Sequence, residues 1–419
     1  MNDARRPRVA FFGLLGSGNI GNHGSLDAML AFVRTRHPEA EISCVCAGPE
    51  VFEQQYGIPS VAITWYQQHG PGRSRLDSVA RKAFGKAADL VRMPRLLRQY
   101  DVVIVPGMGV FETTLELRPW GWPYALFLMT LSARMAGTKT AFVNVGANVA
   151  RERSLRWLFT GAARLASYRS YRDGYSRDAM RQMGLDTSGD VVYPDLAFAL
   201  PEPAEPAPAD ESRRTVGLGV MAYHGTNADR ARADEIYAEY TAKIVEFARW
   251  LVDQDYRIRL VIGDPSDLSV VEAVQVDLRQ TRPDLAEDRL ISEPADSLGE
   301  LMEQLAGTDV VVASRYHNVL SALKLSIPTI SISYGTKSDL LMEQMRLAEF
   351  RQPIQGLDVA RLIDQFRALE ARADAVVPAM RARNAEYAEA LERQYDVLSA
   401  ALFGAGTTPR VAVDIEQGE

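Results

Sequence analysis

This chain of 419 residues has few cysteines, no excess of positive charge and no long apolar run. It carries two cysteines and a formal net charge of −7. A general nucleic-acid binder usually shows a basic excess, which is absent here. The longest apolar stretch, near residues 125–131, is too short to span a bilayer. We therefore expect a globular cytoplasmic protein.

The two cysteines, Cys44 and Cys46, lie two residues apart in one apolar run. On a strand they share a face, and a disulfide between them is geometrically awkward, so we expect buried free thiols. The sequence also lacks a His, Cys and carboxylate cluster with metal-ligand spacing, a P-loop and a nucleophile elbow. We expect neither a metal nor a bound cofactor.

Apolar runs of strand length alternate with longer helical patterns along most of the chain. Near-continuous apolar strands between helices predict parallel sheets covered on both faces. The predicted strands are residues 8–15, 41–47, 101–106, 140–147 and 190–195, and, after a proline-rich stretch, those in TVGLGVMAY, YRIRLVIGD, RLISEP, DVVVAS and PTISISY.

The domain organisation follows from this alternation and its interruption. We expect two Rossmann-like, doubly wound α/β domains facing each other across a cleft, at residues 1–199 and 215–373, joined by a linker at 200–214. A helical segment at 374–403, with a break near Pro378, could cross back to the first domain, and 404–419 is predicted to be a mobile tail. Ligands bind such sheets beyond the carboxyl ends of the strands.

The first segment after a strand is GSGNIGNHGS, residues 16–25. Its glycines match a dinucleotide-binding fingerprint, but the next strand ends without the acidic residue that would hold a ribose. What remains is a glycine loop before a helix, where exposed amides attract anions. The candidate residues of this loop are Gly18, Asn19, Gly21 and His23.

Three further segments follow predicted strands in the first half of the chain. PGMGVFE contributes Gly107 and Gly109, which indicate either backbone packed against a ligand or a tight turn. GANVARER contributes Asn148. The arginine-rich stretch 168–185 contributes Arg172 or, alternatively, only the solvated face of a short helix.

SRYHNVLSALKL, residues 314–325, gives the strongest signal in the second half. Arg315 and His317 open a predicted helix, where a guanidinium, an imidazole and helix amides would bind an anion. His317 could exchange protons near neutral pH, or it could be a capping histidine. Lys337 follows the next strand and either points at the cleft or is a surface lysine. His224 follows an earlier strand and, like His23, either belongs to the cleft or has only a structural role.

Taken together, these segments resemble the polysaccharide pyruvyl transferase family. The resemblance runs from about residue 8 to residue 350 and is carried by GSGNIGNHGS, PGMG, YRDGYS with VYPDLAF, and ASRYHNVLSALKLSIPTISISYGTKSDLL. One departure is Asn22, where the family often has an aspartate. The resemblance implies a glycosyltransferase-B-like pair of Rossmann domains.

The resemblance also implies the reaction. The donor would be phosphoenolpyruvate as a co-substrate, and the product a cyclic pyruvate ketal on the sugar diol of a glycan or of a nucleotide- or lipid-linked sugar. Arg315 and His317 carry over as the catalytic donor-site pair, with His317 as the proton-transfer group. Lys337 and Arg172 carry over as anion-binding residues. From their positions after predicted strands alone, His224, Gly107, Gly109 and Asn148 are weaker acceptor or cleft candidates.

Two other function classes stay open at this point. A nucleotide-sugar glycosyltransferase shares the architecture, and Glu293 or Asp296 could bind its ribose. A non-catalytic sugar- or nucleotide-binding regulator is the second alternative.

Residues 73–98 form a separate feature. They hold eight Lys or Arg against two Asp, and Leu76, Val79, Ala80, Ala83, Phe84, Ala87, Leu90 and Val91 form an apolar stripe at helical spacing. Such a helix either packs on its own domain or rests on an anionic membrane, which would place the protein at the inner membrane face.

Overall fold

The structure is a computed structural model that describes residues 6–16, 20–70, 74–113, 118–203 and 213–404. Gly18, Asn19, most of the predicted linker and nearly all of the predicted tail lie outside these residues. The chain divides into two compact units. The first comprises Met1–Ser17, Ser25–Ala199 and Tyr387–Glu419, and the second comprises Gly18–Gly24 and Leu200–Glu386.

The first unit contains a parallel sheet of seven strands in the order β3-β2-β1-β4-β5-β6-β7. Strand β1 pairs with both β2 and β4, so the chain winds outward in one direction and then in the other. This is the doubly wound Rossmann arrangement. The strands are β1 (Arg8–Gly13), β2 (Glu41–Cys46), β3 (Ser60–Ala62), β4 (Val102–Pro106), β5 (Lys139–Val145), β6 (Tyr168–Tyr171) and β7 (Val191–Val192).

Seven helices connect these strands in the part of the unit that the structure describes, as parallel pairing requires. Several begin at a side-chain cap; Asp173, for example, accepts a hydrogen bond from the backbone N–H of Ser176 at 2.6 Å. The helices are α1 (Ile20–Arg36), whose start up to Gly24 belongs to the second unit, α2 (Pro49–Tyr56), α3 (Trp65–His69), α4 (Arg75–Leu97), α5 (Trp122–Ala136), α6 (Arg153–Leu165) and α7 (Gly174–Gln182).

The second unit repeats the plan with six parallel strands in the order β10-β9-β8-β11-β12-β13. They are β8 (Thr215–Gly219), β9 (Arg257–Val261), β10 (Leu290–Ser292), β11 (Val310–Ala313), β12 (Thr329–Ser333) and β13 (Arg351–Pro353). Its helices are α8 (Ala233–Asp253), α9 (Leu268–Thr281), α10 (Leu298–Ala306), α11 (Tyr316–Lys324), α12 (Thr336–Gln344), α13 (Val359–Ala371) and α14 (Ala373–Leu398), which continues into the first unit's residues.

The predicted fold class, two Rossmann-like parallel-sheet α/β domains, is confirmed. The ten predicted strands are present, and Cys44 and Cys46 are buried and free of any disulfide. Three further strands, β3, β6 and β13, escaped prediction because each has only three or four residues and no long apolar run.

Two local predictions need correction. The alternative of a solvated helix face for residues 168–185 is wrong at its start, because Tyr168–Tyr171 is strand β6 and Arg172 is buried. The predicted break near Pro378 is also wrong, because α14 runs through this proline without interruption. Pro378 is the sixth residue of this helix, so its missing N–H removes one intrahelical hydrogen bond, to the carbonyl of Asp374, without ending the helix.

A buried amide pair anchors the end of α14 within the first unit. Asn144 on β5 donates to Gln394 Oε1 at 3.0 Å, and Gln394 Nε2 donates back to Asn144 Oδ1 at 2.6 Å. Gln394 Nε2 also lies 3.0 Å from Ser170 Oγ, and neither amide side chain is exposed. Buried amides satisfied in this way hold one packing arrangement, because any alternative would leave them unpaired.

We predict that Gln394→Ala lowers the free energy of unfolding by about 3 kcal/mol, because it removes both bonds of the amide pair and leaves Asn144 buried with only the Pro194 carbonyl and the Ser170 hydroxyl as partners. Urea unfolding followed by circular dichroism measures the loss. Glu389→Ala, an exposed change on the same helix, serves as the control and should cost less than about 0.5 kcal/mol. Equal effects of the two changes would contradict the anchoring role.

Asp27 on α1 gives the first unit a pH-dependent stability. Burial raises the pKa of this carboxyl from 3.8 to about 6, against the opposing effects of a Tyr56 hydrogen bond and the Arg34 charge. The folded protein binds the Asp27 proton more tightly than the unfolded chain does. The stability that this proton provides is therefore lost as pH rises from 3.8 to about 6. Above that window the loss is complete and constant.

We therefore predict that Asp27→Asn stabilises the protein more at about pH 8 than at about pH 4, by about 2 kcal/mol. The amide never bears the charge that burial disfavours. Urea unfolding at both pH values measures the difference, and Asp284→Asn, at an exposed carboxyl, is the control. A stability change of Asp27→Asn that does not depend on pH would refute the prediction.

Candidate functional site

Arg315 and His317 lie where the chain leaves the second sheet. Strand β11 is wholly buried, and Arg315 occupies the position before α11, whose second residue is His317. Within the described residues, no side chain caps α11 by a hydrogen bond at this end. The first-turn amides therefore point out of the helix start beside an arginine, an arrangement that favours anions.

A fully buried carboxylate fixes Arg315. Its Nε and Nη2 donate to the two oxygens of Asp267, at 2.9 and 2.6 Å. Asp267 follows β9 and also accepts a hydrogen bond from the backbone N–H of Ala222 at 2.8 Å. This bidentate pair holds one edge of the guanidinium while about a quarter of the arginine side chain remains exposed.

The ring of His317 packs against the backbone of Gly21. A Cβ added at Gly21 would lie 2.0 Å from both Nδ1 and Cε1 of the imidazole. Any side chain there would displace the ring. Gly21 is thus required for close approach at the start of α1, and this glycine of the N-terminal loop lies beside the predicted proton-transfer residue.

Aromatic rings connect Lys337 to the same cluster. Its Nζ lies 5.4 Å from the ring centre of Tyr316 and 5.7 Å from that of Tyr334. Tyr316 in turn meets the His317 ring edge to face, with 5.1 Å between ring centres. The structure therefore groups Arg315, His317, Lys337 and Gly21 around the N-terminus of α11.

Asn318, the next residue on α11, is fully buried beneath this cluster. Neither its Nδ2 nor its Oδ1 has a hydrogen-bond partner among the described residues. A Cβ at Gly219 or Gly263 would lie 3.0 Å from Nδ2 or Oδ1 respectively. The amide thus fills the space above two glycines at the ends of β8 and β9, beside Arg315.

Arg172 lies in the first unit, in different surroundings. Its buried guanidinium contacts Glu112 and lies 3.7 Å from an Asp173 oxygen and 3.6 Å from an Asp195 oxygen. Gly109 and Gly146 leave the room that Glu112 occupies. Three carboxylates around one guanidinium leave little attraction for a further anion. The anion-binding role of Arg172 stays a prediction.

The other predicted residues occupy separate positions. Asn148 Oδ1 accepts from Thr113 N at 2.9 Å. Gly107 has a positive φ of 46°, and a Cβ there would lie 2.3 Å from Ser25 Oγ. His23 is buried in α1. His224 is exposed and stacks on Tyr237 at 4.9 Å, and Glu293 is paired with Arg259 at 2.6 Å. Gly18 and Asn19 are outside the described residues.

Three residues of the cluster were not predicted as site residues: Asp267, Tyr316 and Tyr334. Asp267 lies in VIGDPSD, directly after β9, so the rule that ligands bind at the carboxyl ends of strands pointed to it. Nothing in the sequence pairs it with Arg315. Tyr316 and Tyr334 lie close to predicted site residues in the sequence. Tyrosines near strand ends are common, so the sequence alone did not single them out.

Solved structures show what the fold resembles. A Listeria monocytogenes protein assigned as a UDP-N-acetylglucosamine 2-epimerase aligns over 97% of this chain and all of its own, with 14% identity and a TM-score of 0.64. S. aureus MnaA, solved with UDP, aligns over 96% and 99%, with 13% identity and a TM-score of 0.59. The Methanocaldococcus jannaschii UDP-GlcNAc 2-epimerase aligns over 86% and 92%, with 12% identity and a TM-score of 0.55.

These likenesses define the class: a two-domain α/β protein of the glycosyltransferase-B-like architecture. At such identities they show the fold alone. No curated protein sequence matches the chain. The family model for polysaccharide pyruvyl transferases matches residues 19–336, well over half of the chain, so the protein belongs to that family. The match includes Gly21, Arg315 and His317 and ends one residue before Lys337.

We predict that Gly21→Ala displaces the His317 ring, because the new methyl group would overlap it. In ¹H–¹³C spectra of the protein, the Cε1–H resonance of His317 should shift, while those of His69 and His224 stay in place. Gly299→Ala is the matched control, since a Cβ at that helical glycine meets only Ser297 Oγ, at 3.7 Å. An unshifted His317 resonance in a folded Gly21→Ala variant would argue against this packing.

Proposed function

We propose that the protein transfers the enolpyruvyl group of phosphoenolpyruvate onto a sugar diol, forming a cyclic pyruvate ketal and releasing phosphate. The observation that supports this most directly is the cluster at the start of α11. There an arginine fixed by Asp267, a histidine and a lysine surround helix amides. Membership of the pyruvyl transferase family supports the same reaction.

Phosphoenolpyruvate carries a carboxylate and a phosphate, and the cluster offers complementary charge. Asp267 occupies one edge of the Arg315 guanidinium, so the Nη1 edge is the one available to a bidentate anion. Lys337 adds a second cation and the amides of α11 add directed donors. In our proposal these groups bind the donor, with no metal ion required.

The chemistry then needs one group that moves protons, and we assign this role to His317. The protonated imidazole gives its proton to the methylene carbon, and C2 becomes oxocarbenium-like. The first sugar hydroxyl attacks C2 and returns its proton to the imidazole. Phosphate leaves C2, the second hydroxyl attacks in its place, and its proton goes to the departing phosphate. One donor and one diol thus yield one ketal and inorganic phosphate.

Asp267 acts in this proposal as a positioning residue. It does not reach the substrates, because it is fully buried. By accepting from two nitrogens of Arg315 it fixes the plane of the guanidinium, and its charge balances part of the arginine's. An arginine without this partner would sample several rotamers and lose entropy on binding the donor.

The first test is phosphate release from phosphoenolpyruvate in the presence of glycan, nucleotide-linked and lipid-linked sugar acceptors. We expect acceptor-dependent release in the wild type and a loss of about 10²–10⁴-fold in His317→Ala and Arg315→Ala. Arg372→Ala, which removes an exposed arginine paired with Glu349, is the control and should keep full activity.

The opposite result would favour the nucleotide-sugar glycosyltransferase. It would consist of no phosphate release with any acceptor, together with thermal stabilisation by a nucleotide sugar and none by phosphoenolpyruvate. Release that survives both substitutions would instead place the reaction away from α11.

A second test separates positioning from folding at Asp267. We predict that Asp267→Asn raises the KM for phosphoenolpyruvate by about tenfold and changes kcat less, because the loosened arginine still reaches the donor. Steady-state kinetics at fixed acceptor measure both parameters. An unchanged KM together with a lower melting temperature would show that Asp267 is merely structural.

A further inference from the structure

Helix α4 turns its apolar side outward. Val79, Phe84, Leu90 and Val91 are exposed by 65%, 61%, 55% and 50%. Ala80, Ala83 and Ala87 are exposed on the same side. At 100° per residue these positions form one continuous stripe along the helix. The described part of the apolar stripe predicted from the sequence therefore exists; Phe84 meets the ring of Trp65, and yet all four of these large side chains are at least half exposed, while the side chain of Leu76 lies outside the described ones.

The opposite side of α4 is attached by polar groups. Asp89 is buried and accepts a hydrogen bond from the backbone N–H of Trp65 at 2.8 Å. Arg92 donates to the carbonyl of Ile63 at 3.0 Å and lies 3.5 Å from Asp89. Met93 and Leu97 complete the buried side. An ordinary surface helix keeps most of its apolar side chains inward. In α4, Met93 and Leu97 face inward together with the Asp89–Arg92 pair, while Val79, Phe84, Leu90 and Val91 face outward.

The exposed side also carries positive charge. Lys82, Arg95 and Arg98 are exposed, and residues 73–98 hold eight Lys or Arg against two Asp in a chain of net charge −7. Trp65 meets the exposed Phe84 edge to face at 5.1 Å, adding an aromatic ring of the kind that favours membrane interfaces. An apolar stripe bordered by basic side chains is typical of helices that lie on anionic lipid.

We propose that the outward side of α4 docks on the surface of an anionic bilayer, with its apolar stripe in the headgroup region and its basic residues against lipid phosphates. The contact is peripheral: no helix of the described residues is long and apolar enough to cross a membrane. A second copy of the chain fits less well, because a symmetric interface would bring the basic borders of two α4 helices together.

This surface does not depend on the proposed reaction. If the reaction is also as proposed, docking would bring the enzyme to acceptors carried on lipid. Binding is therefore measured without phosphoenolpyruvate or sugar, so failure of either proposal is distinguishable from failure of the other.

The experiment is flotation of the full chain with phosphatidylcholine vesicles, with and without about 30% phosphatidylglycerol. We expect wild-type protein to float with the anionic vesicles, and much less with the neutral ones or at high salt. Leu90→Asp and Phe84→Asp should each weaken binding by about tenfold or more, since each puts a charge into the stripe. A Lys82→Glu/Arg95→Glu double variant should lose the preference for anionic lipid.

Val276→Asp is the matched control, because Val276 on α9 is 51% exposed and lies outside α4. It should float like the wild type. Melting temperatures show whether each variant folds. We expect all of them to fold, because the substituted side chains are exposed. The proposal is overturned if wild type does not float, or if Leu90→Asp floats equally well. It is also overturned if sedimentation shows a dimer that Leu90→Asp dissociates while no vesicle binding occurs.

Discussion

When helices cover both faces of a parallel sheet, charged side chains can reach solvent and ligands mainly at the ends of the strands. In both units the strands are mainly apolar, and the charged side chains of interest follow β6, β9, β11 or β12. A parallel sheet brings those ends to one edge, so residues far apart in sequence become neighbours. Asp267 and Arg315 are 48 residues apart and still form a bidentate pair for this reason.

The balance of charge at that edge differs between the units. Arg172 lies against three carboxylates in the first unit, whereas Arg315 is paired with one buried carboxylate, Asp267, has the charge of Asp264 nearby and has Lys337 near the same helix. Both arginines follow strands and both belong to matched segments of the family. Only the surroundings differ, and they favour the second unit for an anionic donor, because a guanidinium surrounded by carboxylates attracts another anion weakly.

Glycines contribute to the site by leaving space rather than by binding. Gly21 lets the His317 ring approach the backbone, and Gly109 with Gly146 makes room for Glu112. Helix α4 shows a related effect of packing, since its buried side is held by Asp89 and Arg92 while its apolar side stays exposed. In each case the role of a residue depends on which neighbour the fold places against it.

The sequence by itself determined the alternation of strands and helices, and with it two doubly wound domains and the prominence of Arg315 and His317. Apolar runs and helix starts are local patterns, so they can be read along the chain. Only the tertiary structure decided that Asp267 holds Arg315, that Gln394 pairs with Asn144 and that the stripe of α4 points outward. Periodicity places residues on one side of a helix but cannot tell which side meets the protein, and pairs distant in sequence depend on the order of strands in the sheet.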